Sequence, residues 1–93
     1  MDSIFQTEKH CFLCGSYSWL EEHHIFGAAN RKKSEKYGLK VFLCHSCHNE
    51  PPAGVHHNAE LNNELKAQAQ EKAMQHYGWN IDDFRKIFGK NYL

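Results

Sequence analysis

Hydrophobic and polar positions follow different rules in the two parts of the chain. Leu61, Leu65, Ala69, Ala73 and Tyr77 recur every four residues, the spacing of one helix face. Asn58 suits the N-cap, Glu60 suits the positive N-terminal end, and Gly78 suits termination. This predicts a helix between Asn58 and Gly78. A shorter helix follows, with Asn80 as cap, Asp82 and Asp83 in the first turn, and Gly89 at the end. Ile81, Phe84, Ile87 and Phe88 form its apolar face. Both helices are expected to pack over a small core.

Before Asn58 the apolar runs are shorter. Residues 17–21 read as a short strand, with aromatic and branched content after the turn at Gly15-Ser16. Residues 40–43, Lys-Val-Phe-Leu, form the stronger strand, an apolar run of β-formers. Between them, residues 27–38 read as a basic connecting loop with room for a helical turn. Residues 50–54, Glu-Pro-Pro-Ala-Gly, break whatever begins at Cys47.

At 93 residues the chain is expected to be one domain. A chain of this size buries only about 65% of its unfolded surface, so a structural metal or oligomerisation would help it. The 41% hydrophobic and 24% charged content is that of a soluble globular domain. No apolar run approaches a membrane span, and residues 1–8 lack the basic and apolar regions of a secretory signal. The chain is therefore expected to be cytoplasmic, where paired cysteines more often bind metal than form disulfides. The net charge is zero, but Arg31, Lys32, Lys33, Lys36 and Lys40 face only Glu35 between residues 23 and 48. That concentration marks a candidate surface for a polyanion.

Cys11-Phe-Leu-Cys14 and Cys44-His-Ser-Cys47 are two C-x-x-C knuckles. Two intervening residues let one tight turn aim both sulfurs at one ion. Four thiolates leave no open position, so Cys11, Cys14, Cys44 and Cys47 predict a structural Zn²⁺ site that supports folding. His10, His45 and His48 flank the knuckles and are possible replacements for a cysteine. The chain holds 8 His, including the tandem pairs His23-His24 and His56-His57. That enrichment points to a second metal site or to acid–base chemistry. Adjacent residues on a strand face opposite ways, so a tandem pair can divide its labour.

The features run in the order knuckle, strand, Glu22-His23-His24-Ile25, basic loop, strand, then Leu43-Cys44-His45-Ser46-Cys47-His48-Asn49. This order resembles the HNH endonuclease family, also called ββα-metal or His-Me finger nucleases. His23-His24-Ile25 matches the family's first element and residues 44–48 its second. More loosely, the chain looks like small phage-encoded HNH proteins, through His-His-Ile-Phe-Gly and Ala-Asn-Arg-Lys, Gly54-Val55-His56, and Ile87-Phe88-Gly89-Lys90-Asn91-Tyr92-Leu93.

The resemblance implies an α+β fold: a small ββα-metal hairpin-plus-helix core stapled by the four-cysteine zinc site, then two C-terminal helices. All of residues 1–93 would be one nuclease domain, with the motif at 11–57 and a helical extension at 58–93. The implied activity is metal-dependent hydrolysis of DNA phosphodiester bonds. His24 matches the general base, His23 the metal ligand before it, and His48 the helix metal ligand. The family's central Asn position holds Leu39, and its alternative third ligand position holds Pro52. His56 is the expected third ligand, with His57 as alternative. The catalytic ion would be Mg²⁺ or Mn²⁺, although imidazole ligands also suit other transition metals. Arg31, Lys32, Lys33, Lys36 and Lys40 would contact DNA, and a homodimer or a phage or host DNA-processing partner is compatible. The alternative is a non-catalytic zinc-binding module that contacts DNA or protein.

Overall fold

The computed structural model describes residues 2–51 and 54–93. Two antiparallel strands, β1 (Leu20–His24) and β2 (Lys40–Cys44), form a hairpin with Leu20 opposite Cys44 and His24 opposite Lys40. A 3₁₀ turn (Ala28–Asn30) and helix α1 (Arg31–Tyr37) connect them. Helix α2 (His45–Asn49) follows β2 directly. A second 3₁₀ turn (Val55–His57) leads into α3 (Ala59–Tyr77) and α4 (Ile81–Phe88). The α+β architecture with two C-terminal helices is as expected. Of the expected break at residues 50–54, Pro52 and Ala53 lie outside the described residues.

Two elements differ from the sequence reading. The first strand begins at Leu20, later than expected, because Tyr17 and Trp19 stand in solvent and Trp19 turns the chain at φ 54°. The basic stretch, read as a loop with room for a helical turn, contains the whole of α1. Its Arg-Lys-Lys-Ser-Glu-Lys sequence consists mostly of good helix formers. Gly38 ends α1 in the left-handed region at φ 72°, and a Cβ there would collide with the Asp2 carbonyl oxygen. The only buried residue of α1 is Ser34. Its hydroxyl donates to the Phe26 carbonyl at 2.7 Å and accepts from the Phe26 N–H at 3.0 Å. These two bonds tie α1 to the segment leaving β1.

The hairpin separates two environments. Side chains alternate along a strand, so Glu21 and His23 share a face with their partners Leu43 and Val41. Both Leu43 and Val41 are buried. Glu22 and His24 share the other face with Phe42 and Lys40. The N-terminal segment covers the outer edge of β2: Gln6 Oε1 accepts from Phe42 N–H, and Phe12 N–H donates to the Phe42 carbonyl.

The helical part follows its pattern closely. Leu65, Ala69 and Ala73 are buried on α3, with Leu61 and Tyr77 at the margins of the core. Asn58 accepts from Leu61 N–H at 3.0 Å, and Gly78 closes the helix. Asn80 and Asp83 form a reciprocal capping box on α4. Phe84 and Phe88 are buried and pack on Phe26, which joins α4 to the end of β1. Ile81 departs from expectation: it sits at the first turn and is exposed. Among the described residues, no helix is long and apolar enough to cross a membrane.

Candidate metal centres and the histidine site

The two knuckles meet. One sulfur from each of Cys11, Cys14, Cys44 and Cys47 lies within 4.8 Å of the others. Cys14 Sγ and Cys44 Sγ are 3.6 Å apart. Sulfurs at tetrahedral corners, each about 2.3 Å from a zinc ion, stand about 3.8 Å apart, whereas a disulfide requires about 2.05 Å. The first knuckle is a tight turn in which Gly15 N–H donates to the Cys11 carbonyl at 2.9 Å and Cys14 N–H points at Cys11 Sγ. The second places Cys44 at the junction of β2 and α2, with Cys47 inside α2.

Crowding splits the thiols. Burial pushes Cys11 up, but backbone N–H groups of Cys44, Cys14 and Leu13 outweigh it and bring the thiol to about 6. Burial and the neighbouring thiols push Cys47 well above its ordinary value. Four thiolates this close are mutually stable only around a cation, and the donor set fits a structural zinc ion.

The second cluster lies on the inner face of β1. His23, His48 and His56 each present one ring nitrogen within 4.8 Å of the others. His23 projects from β1 and is only 4% exposed. His48 projects from α2, one residue after Cys47. His56 comes from the 3₁₀ turn beyond α2. Gly54 makes that approach possible. Its N–H donates to the Glu50 carbonyl at 2.7 Å, and a Cβ there would lie within 3.0 Å of the Asn49 and Glu50 backbone. His57, the alternative third ligand, is exposed and outside the cluster.

The cluster is arranged for ligation. His23 Nε2 is buried without a hydrogen-bond partner. An unpaired buried nitrogen is costly unless something is bound to it. His48 Nε2 and His56 Nε2 are 2.8 Å apart. Glu21 Oε1 accepts from His48 Nδ1 at 2.8 Å, which leaves the Nε2 lone pair of a neutral His48 facing the cluster. Burial, followed by the charges of His48, His56, His24 and Lys66, lowers His23 to about 4. Burial and then His48 and His57 lower His56. Neutral imidazole is the ligating form, so both shifts favour metal binding. Three nitrogens, with no fourth ligand in the group among the described residues, leave positions open on an ion, unlike the four-sulfur site.

The third cluster is on the opposite face. His24 Nε2 lies 3.2 Å from Glu35 Oε2 and 3.5 Å from Glu22 Oε1. Lys40 Nζ is 2.7 Å from Glu35 Oε2 and 3.5 Å from Glu22 Oε1. Lys40, then His24, pull the Glu35 carboxyl down to about 2. Arg31, Lys32, Glu22, His24 and Glu35 line an open cleft of about 320 Å³.

The basic residues divide by partner. Arg31 and Lys32 flank His24 in that cleft. Lys36 stands 5.3 Å from the Tyr37 ring centroid. Lys33 donates to the Ile87 carbonyl, and Lys40 is engaged with the two carboxylates. Lys33 and Lys40 thus already have protein partners, which the sequence reading did not anticipate. His10 contacts Gln6 and the Cys11 carbonyl, and His45 contacts Glu21. Neither enters a metal cluster among the described residues. Leu39 is fully buried, and its carbonyl accepts from Ile25 N–H at 3.0 Å.

Sequence reasoning missed Glu21, Glu22 and Glu35. The two-residue period of β1 was the available signal for the first two, since it pairs Glu21 with His23 and Glu22 with His24. Comparison of the chain with protein-family models, with curated proteins and with solved structures gives no match.

Proposed function

We propose that this chain is a metal-dependent endonuclease of the HNH type that hydrolyses DNA phosphodiester bonds. One observation carries the reading. His23, His48 and His56 converge with an orphaned buried nitrogen, and the next residue after His23 is a partly buried His24 in a cleft that Arg31 and Lys32 also line.

In this reading His24 takes the proton from the attacking water. Arg31 and Lys32 hold the phosphate backbone beside it without reading sequence. His23, His48 and His56 would hold a divalent ion, Mg²⁺ or Mn²⁺. Such an ion supplies charge stabilisation at the scissile phosphate and the leaving 3′-oxygen. Three imidazoles also accept Ni²⁺, Co²⁺ or Zn²⁺. The four-cysteine site would hold zinc as a staple, in the reducing environment of the cytoplasm.

The test is nicking of supercoiled plasmid by zinc-loaded protein with Mg²⁺, Mn²⁺, Ni²⁺ or EDTA, beside a His24→Ala variant. Metal-dependent nicking that disappears in the variant is expected. Folded protein that fails to nick the plasmid with any of these metals would instead favour a non-catalytic zinc module.

A further inference from the structure

We infer that Glu35 is the positioning residue for His24, holding its imidazole with the hydrogen on Nε2 and leaving Nδ1 as the basic nitrogen. The carboxylate oxygen is 3.2 Å from Nε2. A carboxylate only accepts, so a neutral His24 must place its single ring hydrogen on the nitrogen facing Glu35. Lys40 stabilises the acceptor as an anion at 2.7 Å, consistent with its depressed pKa. Glu22 Oε1, 3.5 Å from the same nitrogen, reinforces the same tautomer from β1.

The mount is firm at every point. His24 has a side chain only 12% exposed and pairs through its backbone position with Lys40. Glu35 follows Ser34, whose hydroxyl makes both bonds to Phe26. Two residues after Glu35, the Tyr37 carbonyl accepts from Tyr77 Oη at 2.6 Å. The next residue, Gly38, accepts from Ile4 N–H at 3.0 Å. Helix α1 therefore carries the carboxylate on a frame fixed by β1, α3 and the N-terminal segment.

The tautomer stands without any assumption about activity, while the role of Nδ1 as base rests on the nuclease reading. The experiment uses ¹⁵N-labelled, zinc-loaded full-length chain at about pH 8, above the ordinary imidazole range. Long-range ¹H–¹⁵N spectra should show a protonated Nε2 on His24, with a slowly exchanging proton. Glu35→Leu should abolish that slow exchange, and Glu35→Gln, which retains an acceptor, should preserve it. Single-site kinetics on a DNA duplex with Mn²⁺ should give a kcat loss of about 100-fold for Glu35→Leu, with KM within about twofold. Glu35→Gln should recover about tenfold of that loss. Circular dichroism and zinc content identify any variant that fails to fold; should Glu35→Leu do so, Glu35→Ala, which also lacks an acceptor, takes its place. A hydrogen on Nδ1 in the native chain, or an Nε2 proton indifferent to Glu35, would overturn the inference. Absence of cleavage by the native chain would overturn the nuclease reading instead, and the spectra would still decide the role of Glu35.

Discussion

Glu21 and His48 meet across the hairpin–helix junction, with Oε1 of the carboxylate 2.8 Å from Nδ1 of the imidazole. The second oxygen, Oε2, lies 3.2 Å from His45 Nδ1, so one carboxylate holds two residues of α2. His48 and then His45 keep the Glu21 carboxyl below its ordinary value. A ligand imidazole held in this way keeps its other nitrogen free for metal.

Glu21→Ala is therefore expected to weaken Ni²⁺ or Mn²⁺ binding at the three-histidine cluster by about 10–100-fold. Calorimetric titration of zinc-loaded protein measures this directly. Affinity unchanged within about twofold would mean that Glu21 does not orient His48.

Loss of a thiolate should be far more severe. Cys44 lies opposite Leu20 in the hairpin and also begins α2. Cys44→Ser, or removal of the zinc by a strong chelator, is expected to unfold the domain, because metal binding and folding are one equilibrium in such sites. Far-ultraviolet circular dichroism reads the result, and an unchanged spectrum at confirmed zinc loss would contradict it.

His23 makes the stability of the protein without a metal at the histidine cluster depend on pH. The unfolded imidazole takes its proton near pH 6.5, whereas folded His23 does so only at about 4. Between those values the unfolded state binds more protons. Stability from this residue is thus fully present above about pH 6.5 and falls as pH drops toward 4. The upper limit of the effect is about 3 kcal/mol. Urea unfolding of the native chain and His23→Asn between about pH 7 and pH 5 should give a steeper loss for the native chain.

The basic residues should separate by role. Arg31→Ala with Lys32→Ala is expected to lower the salt dependence of DNA binding by about two units of log–log slope. Lys33→Ala should leave that slope unchanged and lower stability instead, because its ammonium is bonded to the Ile87 carbonyl at the end of α4. Fluorescence anisotropy over a salt series, with a thermal melt of each variant, tests both statements. A Lys33 variant with a reduced slope would return that residue to the DNA-facing set.

The C-terminal helices were legible because their burial follows a four-residue spacing and their ends carry caps at Asn58, Gly78, Asn80 and Gly89. The cysteine cluster was legible from spacing alone. Helix α1 was not, since only Ser34 on it is buried, and tertiary bonds from Phe26 to its middle and from Ile4 to its C-cap hold it in place. A helix with no apolar stripe has no periodicity to read. Tyr17 and Trp19 misled the strand reading because β propensity reports fit to a half-buried pleat, and both side chains are exposed. The expectation that His23 groups with His48 came from the family resemblance, and His56 entered as the substitute for a ligand position that Pro52 occupies. Glu21 and Glu35 were not anticipated, because a carboxylate acquires such a role only from the strand face or helix turn that aims it.

The pairing of β1 with β2 has a consequence for tolerance to insertion. His23 faces inward and His24 outward only because Leu20 lies opposite Cys44 and His24 opposite Lys40. A slip of one residue would exchange the two faces, burying Glu22 and His24 where His23 now sits. The knuckle at Cys44 clamps one end of this ladder, and the Lys40–Glu35 pair steadies the other. An inserted residue anywhere within β1 should therefore disable both histidine clusters together, even if every side chain in them is retained.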